Sequence, residues 1–518
     1  MQFTKPAIGI LSIADYLDRN GYKVIIDNLG DRMVNNREFD VEKHIVSTES
    51  RVYAIGLHWQ QHSQGAIEIA MLCKRLHPDS LVILGGLTAT RFHEEIIRKY
   101  AFIDAVIRGE AEKPFLEFMM ALDKNNTITD TPNLTYRKES GEICTTPLMK
   151  PSEKLDEYEF TRFDLMEPVT SVFPKDSQPK GFLVVCRGCV YNCVTCGGSA
   201  YTYKKHLGMC KPSFRSPQKI ADDIKKLNNQ GIRAISLFQD PRMGGEKYWK
   251  ELFDVLRKEK LDIDRISFDI FNPVDEEFAK EVSTTGQQVT LFFCPESGSY
   301  EVRKSQGRCY SNDAILDTVK ICHKYNVSVQ IFLTAGLAGE TGETIGETRE
   351  LWDRLSILDY TAIKNGTFND SHSSPIGPIT GPEVIDPGSQ AFDFPERHGY
   401  KLAFKSLEEY VDALSQPSWH QWINYETEQL NRKELIELVL ESEEYDVDLK
   451  EKYNLYDIRQ TDIMRILIKM DKLLVNEIDD INRIADKRDL ENKLKIRRNT
   501  VDTVINQLFN NAIKSNMK

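Results

Sequence analysis

The chain has 518 residues, more than one hydrophobic core usually covers, so we expect roughly two to four domains of about 100 to 200 residues each. Charged residues make up 28% and hydrophobic residues 41%, which is typical of a globular protein and excludes a disordered or fibrous one. The net charge of −12 argues against a nucleic-acid-binding body, and the sequence shows neither an apolar run long enough for a membrane span nor a signal segment. We therefore expect a cytoplasmic protein.

From Ala7 to about Lys124, short β-branched runs alternate with amphipathic helical stretches. Strands are predicted at YKVIID, VYAIGLHW, LVILGG and DAVIRGE, and helices at GILSIADYLDRNG, VEKHIVST, GAIEIAMLCKRLH, FHEEIIRKY and KPFLEFMMALD. This alternation predicts a doubly wound, Rossmann-like α/β domain whose ligand crevice lies at the carboxyl ends of the strands. Such a unit normally begins with a strand, and only MQFTKPA precedes the first helix, so a first strand is either absent or truncated.

Residues 131 to about 180 are rich in turns and contain a predicted hairpin, NLTYRKESGEICTTPLM. From Gly181 a second alternation supplies about six βα units, which predicts a partial or full barrel with its active site at the carboxyl ends of the strands. The pattern then becomes irregular and finally helical. The expected organisation is a Rossmann-like domain, a linker, a barrel and a C-terminal helical or cap region, at 1–130, 131–180, 181–380 and 381–518.

Near the C-terminus, the segment KRDLENKLKIRRNTVDTVINQLFNNAIK predicts two short helices joined by a turn. Such a pair is typical either of a helix-turn-helix or of a helical appendage used in packing or dimerisation. The tail is only mildly basic, which favours the appendage.

Four of the ten cysteines lie within the stretch CRGCVYNCVTCGGS, from Cys186 to Ser199. Two C-x2-C pairs would suggest a tetrahedral zinc site, but the pairs of such sites usually stand about a dozen or more residues apart. With C-x3-C-x2-C spacing, the ligands are Cys189, Cys193 and Cys196 on one loop directly after a strand. Three thiolates can hold three irons of a [4Fe–4S] cluster and leave the fourth open to a ligand with both an amine and a carboxylate.

With this spacing after the first strand of a βα barrel, the sequence resembles the radical S-adenosylmethionine (SAM) enzymes. The resemblance implies that SAM occupies the open iron. Three further motifs agree in their order after successive strands: CPESGS, RKSQGRCYSNDAI and TAGLAGET. The resemblance assigns SAM contacts to Gln239 and Asp240 for the amino group, Glu296 and Ser297 for the ribose, Arg303 and Arg308 for the carboxylate, and Gly336 and Leu337 for the adenine.

Two positions depart from the family pattern. An aromatic residue usually precedes the third cysteine, and Thr195 stands there instead, so that adenine contact must come from elsewhere. The family's Gly-Gly-Glu motif, which holds the SAM amino group, is matched only by MGGEKYW, several residues beyond the second strand. Gln239 and Asp240 are therefore the better candidates, and Glu246 is expected to begin a helix, where a carboxylate suits the positive end of the dipole.

Two N-terminal segments, YAIGLHWQQHSQGAIEIAMLCKRLHPDSLVILGGLTAT and FIDAVIRGEAEKPF, resemble the cobalamin (B12)-binding domain that precedes the barrel in one large radical SAM subgroup. That resemblance implies cobalamin contacts from three loops: His58, Trp59 and Gln60; Gly85, Gly86, Leu87 and Thr88; and Arg108, Gly109 and Glu110. The segment QQHSQG comes close to the D-x-H-x-x-G motif whose histidine ligates cobalt, but it lacks the aspartate that would orient the ring. His62 is therefore either an axial ligand or a polar residue at a helix start.

The resemblance implies a cobalamin-dependent radical SAM methyltransferase, which methylates an unactivated carbon by means of a 5′-deoxyadenosyl radical and methylcobalamin. The cofactors carry that chemistry, so catalytic side chains cannot be identified from the sequence. One alternative is a non-methylating radical SAM enzyme that forms rings, couples carbons or rearranges its substrate, for example a lipid. A second is an iron–sulfur regulatory or binding protein whose C-terminal helices bind DNA. For either enzyme we expect a flavodoxin- or ferredoxin-type electron donor and a small molecule, peptide or lipid as substrate.

Overall fold

The computed structural model describes residues 8–36, 38–124, 128–168, 179–368, 376–416, 418–482 and the single residues Asp489, Asn492 and Lys495. It confirms the predicted α/β architecture, with an N-terminal sheet, a second and wholly parallel sheet, and a mostly helical C-terminal region. Apart from those three single residues, the two short helices predicted near the C-terminus lie outside the described residues. Of the helices that are described, none has both the length and the apolar character needed to cross a membrane.

The N-terminal domain alternates strands and helices as the hydrophobic pattern predicts. Its elements are α1 (Ile8–Asp18), β1 (Ile26–Asp27), α2 (Leu29–Asn35), α3 (Val41–Ser47), β2 (Val52–Gly56), α4 (Ser63–Leu76), β3 (Leu81–Gly85), α5 (Leu87–Arg91), α6 (His93–Lys99), β4 (Ala105–Ile107) and α7 (Glu112–Asp123). Strands β2, β3 and β4 pair in parallel, and Val82, Leu84 and Val106 are fully buried between the helices. The carboxyl ends of these strands therefore meet at one edge of the sheet.

A hairpin extends this sheet, with strands β5 (Leu134–Arg137) and β6 (Ile143–Thr145), to give the order β2-β3-β4-β5-β6. Strand β5 runs antiparallel to β4. The sequence places this hairpin in a linker, and that prediction is wrong because Leu134 and Tyr136 pack into the same core as Phe118. A mixed sheet with an antiparallel edge is common in doubly wound folds.

The predicted strand YKVIID is also corrected by the structure. Only β1 forms, and it pairs in parallel with β7 (Met166–Glu167) outside the N-terminal sheet. Its buried residue, Ile26, packs with the barrel core, whereas the neighbouring Ile25 is 52% exposed. Strand β1 therefore packs against the barrel core and is not part of the first sheet. Residues 1–7, which precede α1, lie outside the described residues.

The second sheet is built from βα units. The elements are β8 (Lys180–Val184), β9 (Cys186–Arg187), α8 (Ala200–Leu207), β10 (Ser213–Phe214), α9 (Pro217–Asn229), β11 (Ala234–Phe238), α10 (Glu246–Lys258), β12 (Arg265–Ile270), α11 (Glu276–Val282), β13 (Gln288–Glu296), α12 (Tyr300–Ser305), α13 (Asn312–Lys324), β14 (Val327–Thr334), α14 (Gly342–Lys364) and β15 (Ile376–Thr380).

Six of these strands form one parallel sheet in the order β8-β11-β12-β13-β14-β15, so the barrel is partial, with β8 and β15 at its edges. Along β13, Leu291 and Phe293 are fully buried beneath the helices, and the intervening Phe292 is only partly buried on the opposite face. This alternation is what a strand between a helical layer and a barrel interior requires. The carboxyl ends of all six strands open on one side.

The C-terminal region packs against both domains. It comprises α15 (Gln390–Asp393), β16 (Tyr400–Leu402), α16 (Leu407–Leu414), β17 (Tyr425–Thr427), α17 (Arg432–Lys452) and α18 (Ile458–Asn482), with β16 and β17 antiparallel. Tyr410 of α16 packs beside Phe92 of the N-terminal domain, with ring centroids 6.2 Å apart. On the barrel side, Trp352 of α14 donates to Asp446 of α17 at 3.0 Å. The C-terminal region therefore covers part of both the N-terminal domain and the barrel.

Candidate metal and cofactor sites

The cysteine loop follows the first barrel strand, and its four cysteines differ in environment. Cys189, Cys193 and Cys196 are partly exposed on the loop, whereas Cys186 is 2% exposed in β9. The Cys186 thiol donates to the carbonyl oxygen of Gly188 at 3.7 Å. Cys186 therefore belongs to the strand, and the other three thiols form the set available to a cofactor.

Each of the three loop thiols accepts a hydrogen bond. The N–H groups of Tyr191 and Gly198 donate to the sulfurs of Cys189 and Cys196 at 3.4 and 3.2 Å. Arg308 Nη1 donates to the sulfur of Cys193 at 3.3 Å. These donors favour the thiolate form, although burial raises the pKa of all three thiols in the bare protein. A bound cation would supply the charge that a buried thiolate needs.

The arrangement does not suit a single zinc ion. Among the described residues, no three His, Cys, Asp or Glu side chains converge as they would around one metal ion. A tetrahedral zinc site needs four donor atoms at about 2.0–2.3 Å from one centre. In an iron–sulfur cluster each thiolate instead binds its own iron, so the three sulfurs need not converge on one point.

Glu296 and Arg308 form an ion pair beside the cysteine loop. Glu296 ends β13 with a φ of 70°, and its Oε1 accepts from Nη2 of Arg308. The other terminal nitrogen of the same guanidinium, Nη1, donates to the sulfur of Cys193. The second carboxylate oxygen of Glu296 is buried and accepts no hydrogen bond within the described structure. Ser297 differs, because its hydroxyl contacts Thr348 Oγ1 at 3.3 Å. Of the two predicted ribose contacts, Glu296 is therefore the one with an open acceptor.

Arg303 is engaged in the turn after β13, and its predicted contact with the SAM carboxylate stays a prediction. The side chain is fully buried, and it donates to the carbonyl oxygens of Tyr310 and Ser297 and to Asn312 Oδ1. Arg303 holds the turn after β13 together. Arg308 is thus the arginine of this segment that faces the thiols.

Asp240 and Gln239 stand at the end of β11, as predicted, but only Gln239 keeps a free acceptor. The fully buried carboxylate of Asp240 binds the guanidinium of Arg242 and accepts from the N–H of Phe271 at 2.9 Å. Both carboxylate oxygens of Asp240 therefore accept hydrogen bonds from neighbouring protein groups. Gln239 has a φ of 80°, and its side-chain oxygen is buried without a hydrogen-bond partner in the described part of the chain. Glu246 begins α10, which confirms its predicted place.

The glycine-rich turn after β14 is covered by the C-terminal region. The N–H groups of Gly336 and Leu337 donate to Glu340 Oε2 at 2.6 and 3.1 Å, and burial raises the pKa of Glu340 to about 8. Gly336 has a φ of 94°, and a Cβ there would lie 3.0 Å from Leu435 and 3.1 Å from the Tyr425 hydroxyl. Glycine is therefore required at position 336 because the C-terminal region packs closely against this turn. The predicted contact with adenine stays a prediction.

One acidic residue at the barrel mouth escapes the sequence motifs. Glu383 follows the last barrel strand, and its Oε1 accepts from Thr195 Oγ1 at 3.2 Å, directly before the third cysteine. Burial and the neighbouring Glu296 raise the pKa of Glu383 to about 8. The only sequence signal is its place after a strand end, where barrel enzymes gather functional residues.

In the N-terminal domain, the three predicted cobalamin loops meet. The N–H and hydroxyl of Thr88 both donate to the carbonyl oxygen of His58, at 3.1 and 3.0 Å. The N–H of Gly109 donates to Thr90 Oγ1 at 3.0 Å. Gly86 has a φ of 113°, and a Cβ there would lie 2.5 Å from the carbonyl oxygen of Leu57. Only glycine lets these loops approach so closely.

The first of these loops presents aromatic and amide groups. His58 and Trp59 form a T-shaped pair with ring centroids 4.5 Å apart, and burial lowers the pKa of His58 to about 4. Gln60 is 4% exposed, and its side-chain oxygen has no hydrogen-bond partner in the described part of the chain. His62 directly precedes α4, the place expected of a helix-start residue.

The third loop is organised by the hairpin and by the segment after it. Arg108 donates to the carbonyl oxygen of Thr146, and Glu110 accepts from the N–H of Ser152 at 2.8 Å. The side chain of Asn133 donates to the carbonyl oxygens of Arg108 and Glu110 at 2.9 and 3.0 Å. The side chains of Arg108 and Glu110 therefore bind protein, and the predicted cobalamin contacts of this loop stay predictions.

Comparison with known proteins finds matches to both domains. The model of the B12 binding domain matches residues 2–119, and that of the radical SAM superfamily matches residues 183–351. "Uncharacterized methyltransferase PH0819" of Pyrococcus horikoshii is 26% identical over 69% of this chain and 75% of its own length. The anaerobic magnesium-protoporphyrin IX monomethyl ester cyclase of Rubrivivax gelatinosus is 24% identical, over 74% of this chain and 71% of its own. The radical SAM methyltransferase TsrM of Kitasatospora setae, solved with cobalamin and a [4Fe–4S] cluster, shares the fold at TM-score 0.61 and 15% identity, covering 87% of both chains.

Proposed function

Because the chain belongs to the radical SAM enzymes that carry a B12-binding domain, we propose that it is a cobalamin-dependent methyltransferase acting on an unactivated carbon. The observation that carries the proposal is the three-thiol loop beside the Glu296–Arg308 pair, at the carboxyl ends of a parallel partial barrel. The likeness to a named methyltransferase over most of both chains supports it. The structural likeness to TsrM supports the fold.

The residues of the cysteine loop fit a [4Fe–4S] cluster. Cys189, Cys193 and Cys196 would hold it, with Cys186 outside. When bound, the cluster and cobalamin supply the reductive cleavage of SAM and the delivery of its methyl group, with electrons from a flavodoxin- or ferredoxin-type donor. The N–H and guanidinium donors to the three sulfurs stabilise the thiolates that such a cluster needs.

Two residues at the carboxyl ends of barrel strands have acceptors that can orient SAM. The unpartnered Oε2 of Glu296 can accept from a ribose hydroxyl, while Arg308 holds the other carboxylate oxygen in place. The unpartnered side-chain oxygen of Gln239 can accept from an ammonium group at the end of β11. Burial of such acceptors without a partner is costly, so a ligand that supplies donors is stabilised.

We assign cobalamin to the N-terminal loops. Gly86 and Gly109 remove side chains where the three loops meet, and His58 with Trp59 presents a mostly neutral aromatic pair at pH 7. These residues would contact the corrin, as the resemblance implies. His62 is either an axial ligand of cobalt or a helix-start residue.

A second candidate function is ring formation without methyl transfer, which the likeness to the anaerobic cyclase favours. The two functions can be distinguished by identifying the products formed from SAM under anaerobic conditions by the reconstituted, reduced protein. A methyltransferase will release S-adenosylhomocysteine, left when SAM gives up its methyl group, as well as 5′-deoxyadenosine. A non-methylating enzyme will release 5′-deoxyadenosine alone. Intact SAM, together with salt-dependent binding to specific DNA, would instead support an iron–sulfur regulatory protein.

A further inference from the structure

The cysteine loop has little regular structure of its own. A backbone hydrogen bond from Ala200 N–H to the carbonyl oxygen of Tyr191, at 2.8 Å, closes the loop, but the bonds inside it are long: Cys196 N–H to the carbonyl oxygen of Cys193 at 3.4 Å, and Ser199 N–H to that of Cys196 at 3.3 Å. A loop with so few internal bonds does not by itself fix the positions of three thiols. Its shape must come from the segments packed against it.

One such segment is the strap, residues 383–391, which lies about 190 residues further along the chain. The strap pairs with the cysteine loop through its backbone, since Ala391 N–H donates to the carbonyl oxygen of Val194 at 2.9 Å and Asp386 N–H to that of Thr195 at 3.0 Å. The Asp386 carboxylate closes the pairing by accepting from Gly197 N–H at 2.8 Å. Three bonds thus bracket Cys196 on both sides.

The strap packs closely against the cysteine loop, and hydrogen bonds to the C-terminal region hold the strap in place. A Cβ on Gly197 would lie 2.8 Å from the Cβ of Asp386, so only glycine lets the loop lie against the strap at this point. The strap residue Ile385 is fully buried, and its carbonyl oxygen accepts from Asn424 Nδ2 at 2.8 Å. Asn424 is in turn bonded to the Tyr410 hydroxyl. The strap is therefore a fixed surface and not a loose covering.

We propose that Asp386 is a positioning residue of the metal centre, which holds Cys196 in place through Gly197 and so retains the cluster. The inference rests on the proposed function, since it concerns the same cluster. It assigns to the C-terminal region a part in the metal site, beyond that of a cover. Arg308 contacts the same loop at a different thiol, that of Cys193.

The test compares Asp386→Ala, Asp386→Asn and Asp393→Ala, each purified anaerobically and reconstituted with iron and sulfide. Asp393 is the matched control, because it lies just past the strap and binds Tyr201 and Lys205 outside the cysteine loop. Iron release to an added chelator gives the lifetime of the cluster. The EPR spectrum of the reduced cluster reports its surroundings, and thermal unfolding of the cofactor-free proteins reports the fold.

We expect Asp386→Ala to lose iron about tenfold faster than the wild type, which corresponds to about 1.4 kcal/mol. Asp386→Asn should stay within about threefold of the wild type, because an amide oxygen can still accept from Gly197. Asp393→Ala should match the wild type. Equal lifetimes for Asp386→Ala and the wild type, or an equal loss in Asp393→Ala, would overturn the proposal.

If Asp386→Ala does not fold, Gly197→Ala disturbs the same contact from the loop side and should shorten the cluster lifetime in the same way; an unchanged lifetime there would also overturn the proposal. A wild-type protein that binds no iron would contradict the proposed function instead. The two failures are therefore distinguishable.

Discussion

Replacing Arg187 with methionine should destabilise the protein strongly, because a buried ion pair of Arg187 joins the N-terminal domain to β9, the strand that precedes the cysteine loop. Its guanidinium binds both carboxylate oxygens of Glu112, which is 1% exposed, and donates to Ser12 Oγ at 3.1 Å. It also lies 5.0 Å from the centre of the Tyr158 ring. Burial alone would raise the pKa of Glu112, but Arg187 and Ser12 hold it below its usual value.

The size of the effect follows from this burial. Removing one partner of a buried ion pair costs about 3–5 kcal/mol, because the remaining charge is left uncompensated. At about 2–4 °C per kcal/mol for a domain of this size, Arg187→Met should lower the first thermal transition by about 6–20 °C. The double variant with Glu112→Leu removes both charges and should recover much of the loss.

Scanning calorimetry of the cofactor-free proteins provides the measurement. Lys138→Met is the control, because its pair with Glu142 is 41% and 66% exposed and should contribute about 1 kcal/mol or less. The stabilisation from Glu112 is present above the usual carboxyl pKa of 4.5 and lost as the pH falls, so the deficit of Arg187→Met should shrink in acid. A midpoint within about 2 °C of the wild type, or a double variant no more stable than Arg187→Met, would refute the reasoning.

Three further predictions concern the two sites and their cover. Cys186→Ser should keep the cluster and its cleavage of SAM, whereas Cys193→Ser should lose both; iron counting and EPR will show this, and equal losses would favour four cysteine ligands. Gly86→Ala should cost about 1–3 kcal/mol and weaken cobalamin binding, because the new Cβ lies 2.5 Å from a backbone oxygen, whereas Gly65→Ala, with nothing within 4 Å, should not. The pKa of Glu340 is about 8 in the folded protein and about 4.5 in the unfolded chain, so the folded state binds the proton more tightly. The free energy of unfolding should therefore fall as the pH rises from about 4.5 to about 8. Glu340→Gln should reduce that slope in unfolding midpoints, with Glu383 supplying part of what remains, and an unchanged slope would contradict the assignment.

The alternation of strands and helices could be predicted because it is encoded locally, in the spacing of apolar residues. The partner of a strand is not local. The run YKVIID has the pattern of a strand, but Ile26 is buried with the barrel core, and the hairpin residues Leu134 and Tyr136 extend the first sheet. These outcomes depend on packing between segments far apart in the sequence.

The site residues show the same division. Cys189, Cys193 and Cys196 could be chosen because their spacing is itself the signal. Asp240 resembles a ligand in its position after β11, yet its carboxylate is taken by Arg242, two residues further on. Asp386 carries no motif and lies beside the loop only because the chain returns after the last barrel strand.

The most direct test of the central claim is to count iron and cobalt in protein purified anaerobically with added iron, sulfide and hydroxocobalamin, and to record EPR spectra of the reduced protein with and without SAM. We predict about four irons and one cobalt per chain, and a cluster signal that changes when SAM binds the open iron. Fewer than about three irons, or a signal that SAM does not alter, would contradict the three-cysteine cluster, and protein without cobalt would contradict the methyltransferase.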